Sequence, residues 1–337
     1  QIADALLQQP QPQPQQQQLV GEKNRVHGIL LFIRYLLDDC DWRSWCLKSE
    51  QTMLLLRGAF ARIVDFLHKV AAHQLQAHLK QEQDCRGHLI FDDAIHFADS
   101  DAEQLVVVAN WLTVKEIALL LGKLHFVLPL PVETRNGQLR DQVLTRQQVH
   151  RSGALLMEIL ISSKHRGVID KTNMGFLALC QSLFSSQIPE FRQLMVKDWL
   201  NFILDKVETN PEAFRWVRRS AGLPFCIRAI LQGDLLSRGG SGLFDATFSR
   251  VMRVLAAATT TEDPQHPQHQ KQWKTHVHYL NLASAIFVDA NSSIEVLPYI
   301  ADGIRISLAG FSHPHWAVRN SSLALFSILF KPSWSNY

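Results

Sequence analysis

Apolar residues recur at three- and four-residue spacing along nearly the whole chain, which is the period of helices packed on one face. Val26, Ile29, Leu30, Ile33, Leu36 and Leu37 make one such stripe. Leu47, Leu54, Leu55, Ala59, Ile63, Phe66, Leu67 and Val70 predict the inward face of a long helix over residues 44–79. The pattern breaks over 81–104, where QEQDCRGHLIFDDAIHFADSDAEQ is polar and acidic and reads as a loop insertion. It returns over 110–128 and is stopped by Pro129 and Pro131, because proline lacks the amide a helix needs. Further helices are predicted over 142–163, 172–184, 191–207, 213–231, 244–257, 273–289, 294–309 and 314–330. Asn210-Pro211 is a start signal, with Asn as cap and Pro in the first helical position. TTTEDPQHPQHQ, 259–270, reads as a second loop insertion.

No segment has the short alternating runs and paired turn signals of a sheet. The pattern therefore predicts an all-α chain, a HEAT/armadillo-like α-solenoid of antiparallel helix pairs over 19–330. A local echo supports repetition: WVRRSAGL (216–223) and AVRNSSLAL (317–325) share Val-Arg-x-Ser-small, each after a proline, Pro211 or Pro314. The ends do not fit the array. Residues 1–18 carry QQPQPQPQQQQ, which cannot bury enough surface to fold and reads as a disordered tract. Residues 331–337, KPSWSNY, read as an irregular tail, and the absence of an opening Met reads as a piece of something longer.

Composition narrows the class. The 337 residues are 47% apolar, ample for a core, and the net charge of +3 does not by itself demand nucleic acid. Five cysteines, Cys40, Cys46, Cys85, Cys180 and Cys226, show no CxxC spacing, so neither a disulfide framework nor a zinc site is indicated. A reducing compartment fits, and the expectation is a cytoplasmic protein. The most apolar run, GILLFIRYLL, is broken by Arg34, so no membrane insertion is expected.

The chemistry of an enzyme is not legible. RGGSGLF (238–244) follows a helix rather than a strand, so it is no phosphate cradle, and its serine lacks the spacing of a nucleophile elbow. His266, His269, His276 and His278 have no cysteine or carboxylate completing a ligand set, and no metal or cofactor is predicted. His276 and His278 read as one surface and one packing histidine, and His313 and His315, flanking Pro314, as capping chemistry.

One stretch stands apart, RWVRRSAGLPF (215–225). Pro224 cannot donate a backbone hydrogen bond, so a helix entered at Pro211 must kink or end near Gly222. Residues 211–253 hold seven arginines against three acids, a local surplus above that of the whole chain. Arg218 and Arg219 point about 100° apart on a helix, so one can brace the kink while the other reaches outward.

Several blocks together resemble one family: VHGILLFIRYLL, NWLTVKEIALLLGKL, GALLMEILISSKHRGVIDKTNMGFLALC, RRSAGLPFCIRAIL, HVHYLNLASAIFVDANSSIEVLPYIADGIRISLAGF and HWAVRNSSLALFSIL. The chain is similar to the thyroid-adenoma-associated (THADA) proteins and their yeast tRNA-methyltransferase accessory subunit, over most of 20–330. The resemblance implies a large non-catalytic scaffold that partners a Trm7/FTSJ-type 2′-O-methyltransferase and directs it to a ribose in the tRNA anticodon loop. It implies no cofactor and no small-molecule substrate. Arg218, Arg219, Ser220, Ala221, Gly222, Leu223 and Pro224 carry over as the signature stretch, and Lys164, His165 and Arg166 as a second basic contact, or else a solvated helix end whose cations complement the dipole. The Gln/Pro tract and KPSWSNY depart from the family's pattern. A second reading is a protein-interaction scaffold, at a membrane such as the endoplasmic reticulum, with no direct RNA role.

Overall fold

The structure, a computed structural model, describes residues 14–84, 101–133, 139–140, 142–163, 165–186, 188–214, 221–237, 242–259, 267–289 and 294–330. Twelve α-helices account for most of these residues: α1 Pro14–Asp38, α2 Trp42–Leu47, α3 Glu50–Asp84, α4 Asp101–Val127, α5 Arg146–Ser162, α6 Arg166–Phe184, α7 Val196–Thr209, α8 Leu223–Leu236, α9 Leu243–Thr259, α10 Pro267–Val288, α11 Ile300–Gly310 and α12 Trp316–Leu329. A π-helical turn, Glu190–Met195, leads into α7, and single 3₁₀ turns cover Pro211–Ala213 and Leu297–Tyr299. One two-residue antiparallel pair, β1 Val132–Glu133 with β2 Leu139–Arg140, sits between α4 and α5.

Helices α1, α4, α6, α8, α10 and α12 each pack on the next and form one layer. The intervening helices lie against it, with α3 touching α5 and α9 touching α11. This two-layer array is an all-α solenoid, as the periodicity predicts. Local chemistry sets its joints. Thr145 and Gln148 make a reciprocal capping box at the start of α5. At α12 the two histidines do cap the chain: His313 Nδ1 accepts from the amide of His315, whose own Nδ1 accepts from Ala317. Arg319 then reaches back to the carbonyls of His313 and Pro314.

The layer is tightest between α4 and α6. A Cβ on Gly175 would lie 2.1 Å from the carbonyl oxygen of Ala118, and one on Gly122 would lie 2.5 Å from the Gly175 Cα. Backbone meets backbone here, which only glycine permits.

Several expectations need correcting. The stretch 44–79 is two helices, parted after Leu47 and restarted at Glu50. The buried face of α3 is Phe60, Val64, Leu67, Ala71 and Gln74, whereas Leu54, Phe66 and Leu55, the last 71% exposed, face outward. In α1 the core receives Leu30 and Leu37, while Ile29 and Leu36 are exposed. The ends of both stretches read as loop insertions are helical, since α3 runs to Asp84, α4 begins at Asp101, α9 runs to Thr259 and α10 begins at Pro267; residues 85–100 and 260–266 lie outside the described residues. Helix α1 begins at Pro14, inside the stretch read as a Gln/Pro tract. Residues 331–337 lie outside the described residues.

Between α7, α9 and α10 a polar cluster does the joining. Buried Tyr279 donates to Glu208 at 2.5 Å, and Arg250 donates to Glu208 at 2.9 Å and to Asp205 at 2.6 Å. Glu208 therefore receives two donors, one of them charged, and each such bond contributes on the order of 1 kcal/mol or more. Tyr279→Phe should lower stability by about 1–2 kcal/mol, read as a lower urea midpoint at unchanged slope.

Candidate functional site

Helix α5 ends at Ser162, and the chain turns through Ser163 to His165 before α6. His165 caps α6, its Nδ1 accepting from the amide of Val168 at 3.3 Å. Its ring stacks on buried Trp111 of α4, centroids 4.0 Å apart. Arg166 is the first residue of α6, where the helix dipole is positive, so it does not complement the dipole as a solvated C-terminal cation would. Its Nε is held instead by both carboxylate oxygens of Asp170, at 2.9 and 3.0 Å.

The Gly-Leu-Pro turn packs on the end of α5. A Cβ on Gly222 would sit 1.8 Å from the carbonyl oxygen of Leu160, in the last turn of α5. Ala221 takes a positive φ of 47°, a conformation non-glycine residues adopt rarely, and this directs the chain into α8. Leu223 and Pro224 are buried, and Pro224 falls in the first turn, where its missing amide costs nothing. Phe225 follows, half-buried, with the guanidinium of Arg166 5.2 Å from its ring centre and that of Arg228 at 4.9 Å. Residues about fifty apart in sequence, Arg166 and Phe225, thus meet on one surface beside the Gly222 turn.

Of the singled-out residues, His165, Arg166, Ala221, Gly222, Leu223 and Pro224 are placed here, while Lys164, Arg218, Arg219 and Ser220 lie outside the described residues. The expected helix from Pro211 is not formed over the described part. Pro211–Ala213 is one 3₁₀ turn, Asn210 makes no side-chain cap bond, and Phe214 is extended. The Gly222 turn starts α8, and residues 215–220, on which a kink between two helices or a repeat of 317–325 (inside α12) would depend, lie outside the described residues.

Sequence reasoning missed Trp111 and Lys115, and gave no role to Phe225, the end of the 215–225 stretch, or to Arg228, one of the seven arginines of 211–253. Phe225 and Arg228 are one helical turn apart, a spacing that was legible. Lys115 was not, since its Nζ reaches α6 only through tertiary packing, 3.1 Å from where a Cβ on Gly167 would stand.

Beneath the turn, burial pushes the thiols of Cys226 and Cys180 well above their usual range, so neither is a nucleophile. Both His276 and His278 are buried, against the expectation of one surface histidine, because α10 is covered along this face and His278 Nε2 meets the carbonyl of Pro211 at 3.2 Å. Among the described residues no group of three or more metal-ligating side chains converges. No described helix is long and apolar enough to cross a membrane. What the site offers chemically is positive charge beside aromatic faces, on a backbone fixed by close packing.

Comparison with known proteins bears on this surface. The family model described as THADA/TRM732, DUF2428 matches residues 51–317, which includes the whole site. The dog protein named tRNA (32-2′-O)-methyltransferase regulator THADA is 35% identical over 231 residues, covering 67% of this chain and 11% of its own length. The human protein of the same name is 35% identical over 229 residues, with the same coverage. The fission yeast protein named tRNA (32-2′-O)-methyltransferase regulator trm732 is 27% identical over 233 residues, covering 69% of this chain and 14% of its own. The chain thus spans about a tenth to a seventh of the length of these relatives. No solved structure matches. On the extent of the family match, the chain belongs to the THADA/TRM732, DUF2428 family.

Proposed function

We propose that this chain is part of a non-catalytic regulator of a tRNA 2′-O-methyltransferase, a Trm7/FTSJ-type catalytic subunit acting on a ribose of the anticodon loop. The relatives' names supply the reaction, tRNA (32-2′-O) methylation. The observation that carries the reading here is the close packing of the Gly222 turn on the end of α5 at Leu160, beside which Arg166 and Arg228 share the Phe225 ring.

Methyl transfer to a ribose hydroxyl needs a methyl donor pocket and a base, and the partner enzyme supplies both. The scaffold supplies position. Holding enzyme and anticodon arm together replaces a bimolecular encounter by an oriented one, which is a large rate factor without any bond-making group. In this reading residues 19–330 act as one unit of HEAT/armadillo-type repeats, in the cytoplasm, where unpaired thiols such as Cys180 and Cys226 persist.

The test is single-turnover methylation of an unmodified tRNA by the methyltransferase, with and without the full-length protein. The double substitution Arg218→Ala with Arg219→Ala should reduce the stimulation at least tenfold with circular dichroism unchanged. Full stimulation by a folded double variant defeats this role for the signature stretch.

A further inference from the structure

Lys115 on α4, Arg166 on α6 and Arg228 on α8 come from three successive helices of one layer. Neighbouring helices in such a layer lie about 8–10 Å apart, so cations on successive helices form a ladder rather than a point. Their compensation is incomplete. Arg166 is bonded to Asp170 through its Nε. Among the described residues Lys115 and Arg228 make no ion pair, and the Arg228 Nε is buried with no hydrogen-bond partner. An unpaired cation held half-buried is costly unless something negative meets it in the functional state. Cations elsewhere on the array are paired: Arg34 with Glu116, Lys123 with Asp38, Arg250 with Asp205 and Glu208, and Lys274 with Glu212.

We infer that Lys115, Arg166 and Arg228 are contacts for consecutive phosphates of an RNA backbone, with Phe225 as the floor that holds both guanidinium groups in place. The inference rests on the tRNA-methylation reading and extends it. It assigns substrate contact to three cations, two of which lie outside both sequence stretches singled out above. An RNA strand fits a ladder better than a small anion does, because phosphates recur along the strand while a single ion occupies one rung. The aromatic floor favours arginine, whose planar group stacks and still presents donors outward.

The experiment measures binding of an unmodified tRNA anticodon stem-loop to the full-length protein in complex with its methyltransferase, across a salt series. Each neutralised phosphate contributes about 0.7–0.9 to the slope of log affinity on log salt. The double variant K115A/R228A should make that slope shallower by about 1.4–1.8, with weaker binding at low salt. R228K, which keeps the charge, should retain the wild-type slope. An unchanged slope in the folded double variant overturns the inference. Lost capture of the methyltransferase with an unchanged tRNA slope also overturns it, and assigns the cluster to the protein partner. The two failures separate cleanly. If the wild-type protein does not stimulate methyl transfer, the broader reading falls; if it does and the slope stays, only the phosphate ladder falls.

Discussion

Gly222→Ala should unseat the candidate site more severely than any single charge removal. The added methyl would stand 1.8 Å from the Leu160 carbonyl oxygen, far inside contact, and the obstacle is backbone rather than a side chain that can swing away. Helix α8 must then back off the end of α5. Overpacking of this kind costs about 1–3 kcal/mol, and more where neither partner yields. Phe225 and Arg228 would move with α8, so the stimulation of methyl transfer should fall along with the urea midpoint. Gly58 is the control: it lies inside α3 with nothing within 4 Å of a new Cβ. Gly58→Ala should leave activity alone and raise stability by roughly 0.5–1 kcal/mol, from helix propensity. If Gly222→Ala melts like the wild type and supports full activity, the packing account of the turn is wrong.

Acid should weaken the fold through histidines held neutral in the core. His125, His276 and His278 each have a pKa lowered to about 4, in every case chiefly because burial penalises the charged ring. Smaller electrostatic effects of neighbours add to this: His68 on His125, His313 on His276 and Lys274 on His278. The unfolded chain titrates near the ordinary value of about 6.5, so between 6.5 and 4 it binds protons that the folded chain refuses. Stability is therefore undiminished above the unfolded value and is lost progressively as pH falls from about 6.5 to about 4. Each histidine contributes a loss of about 2 kcal/mol by pH 5. Urea unfolding at pH 7.5, 6 and 5 should show a steeply falling midpoint, and His276→Leu should flatten the fall. A midpoint indifferent to pH over this range would mean that these rings are hydrated in solution.

Much of the fold is legible in the sequence because helical period and proline breaks are local signals. The stop at Pro129, the long helical runs from 146 onward and the break at Gly222-Leu223-Pro224 all follow from backbone chemistry. The errors have a common cause. In α3 apolar residues fall on more than one face, so the spacing points Leu54, Leu55 and Phe66 inward along with Leu67, whereas packing buries Leu67 with Phe60 and Val64. At 101–109 a polar opening, Asp-Ala-Glu-Gln, masked the first turns of α4. Asn210-Pro211 has the composition of a helix start, yet Phe214 is extended and buried, and tertiary contact overrode the local signal.

The site divides in the same way. The Gly222 turn could be found because glycine before Leu-Pro is a local break. The meeting of Phe225 with Arg166 beside it could not, since it depends on α6 and α8 being neighbours in the layer. Lys115 is invisible for the same reason: nothing in NWLTVKEIALLLGKL says which neighbour its side chain will reach.

The glycine contact between α4 and α6 has a mechanical consequence. A stack of helices flexes where side chains can slide past one another, each interdigitated layer acting as a lubricated joint. At Gly122 and Gly175 no such layer exists, so these two rods are fused like vertebrae. Any flexing of the array is then expected at other joins, with Lys115 and Arg166, carried on this pair, holding their separation.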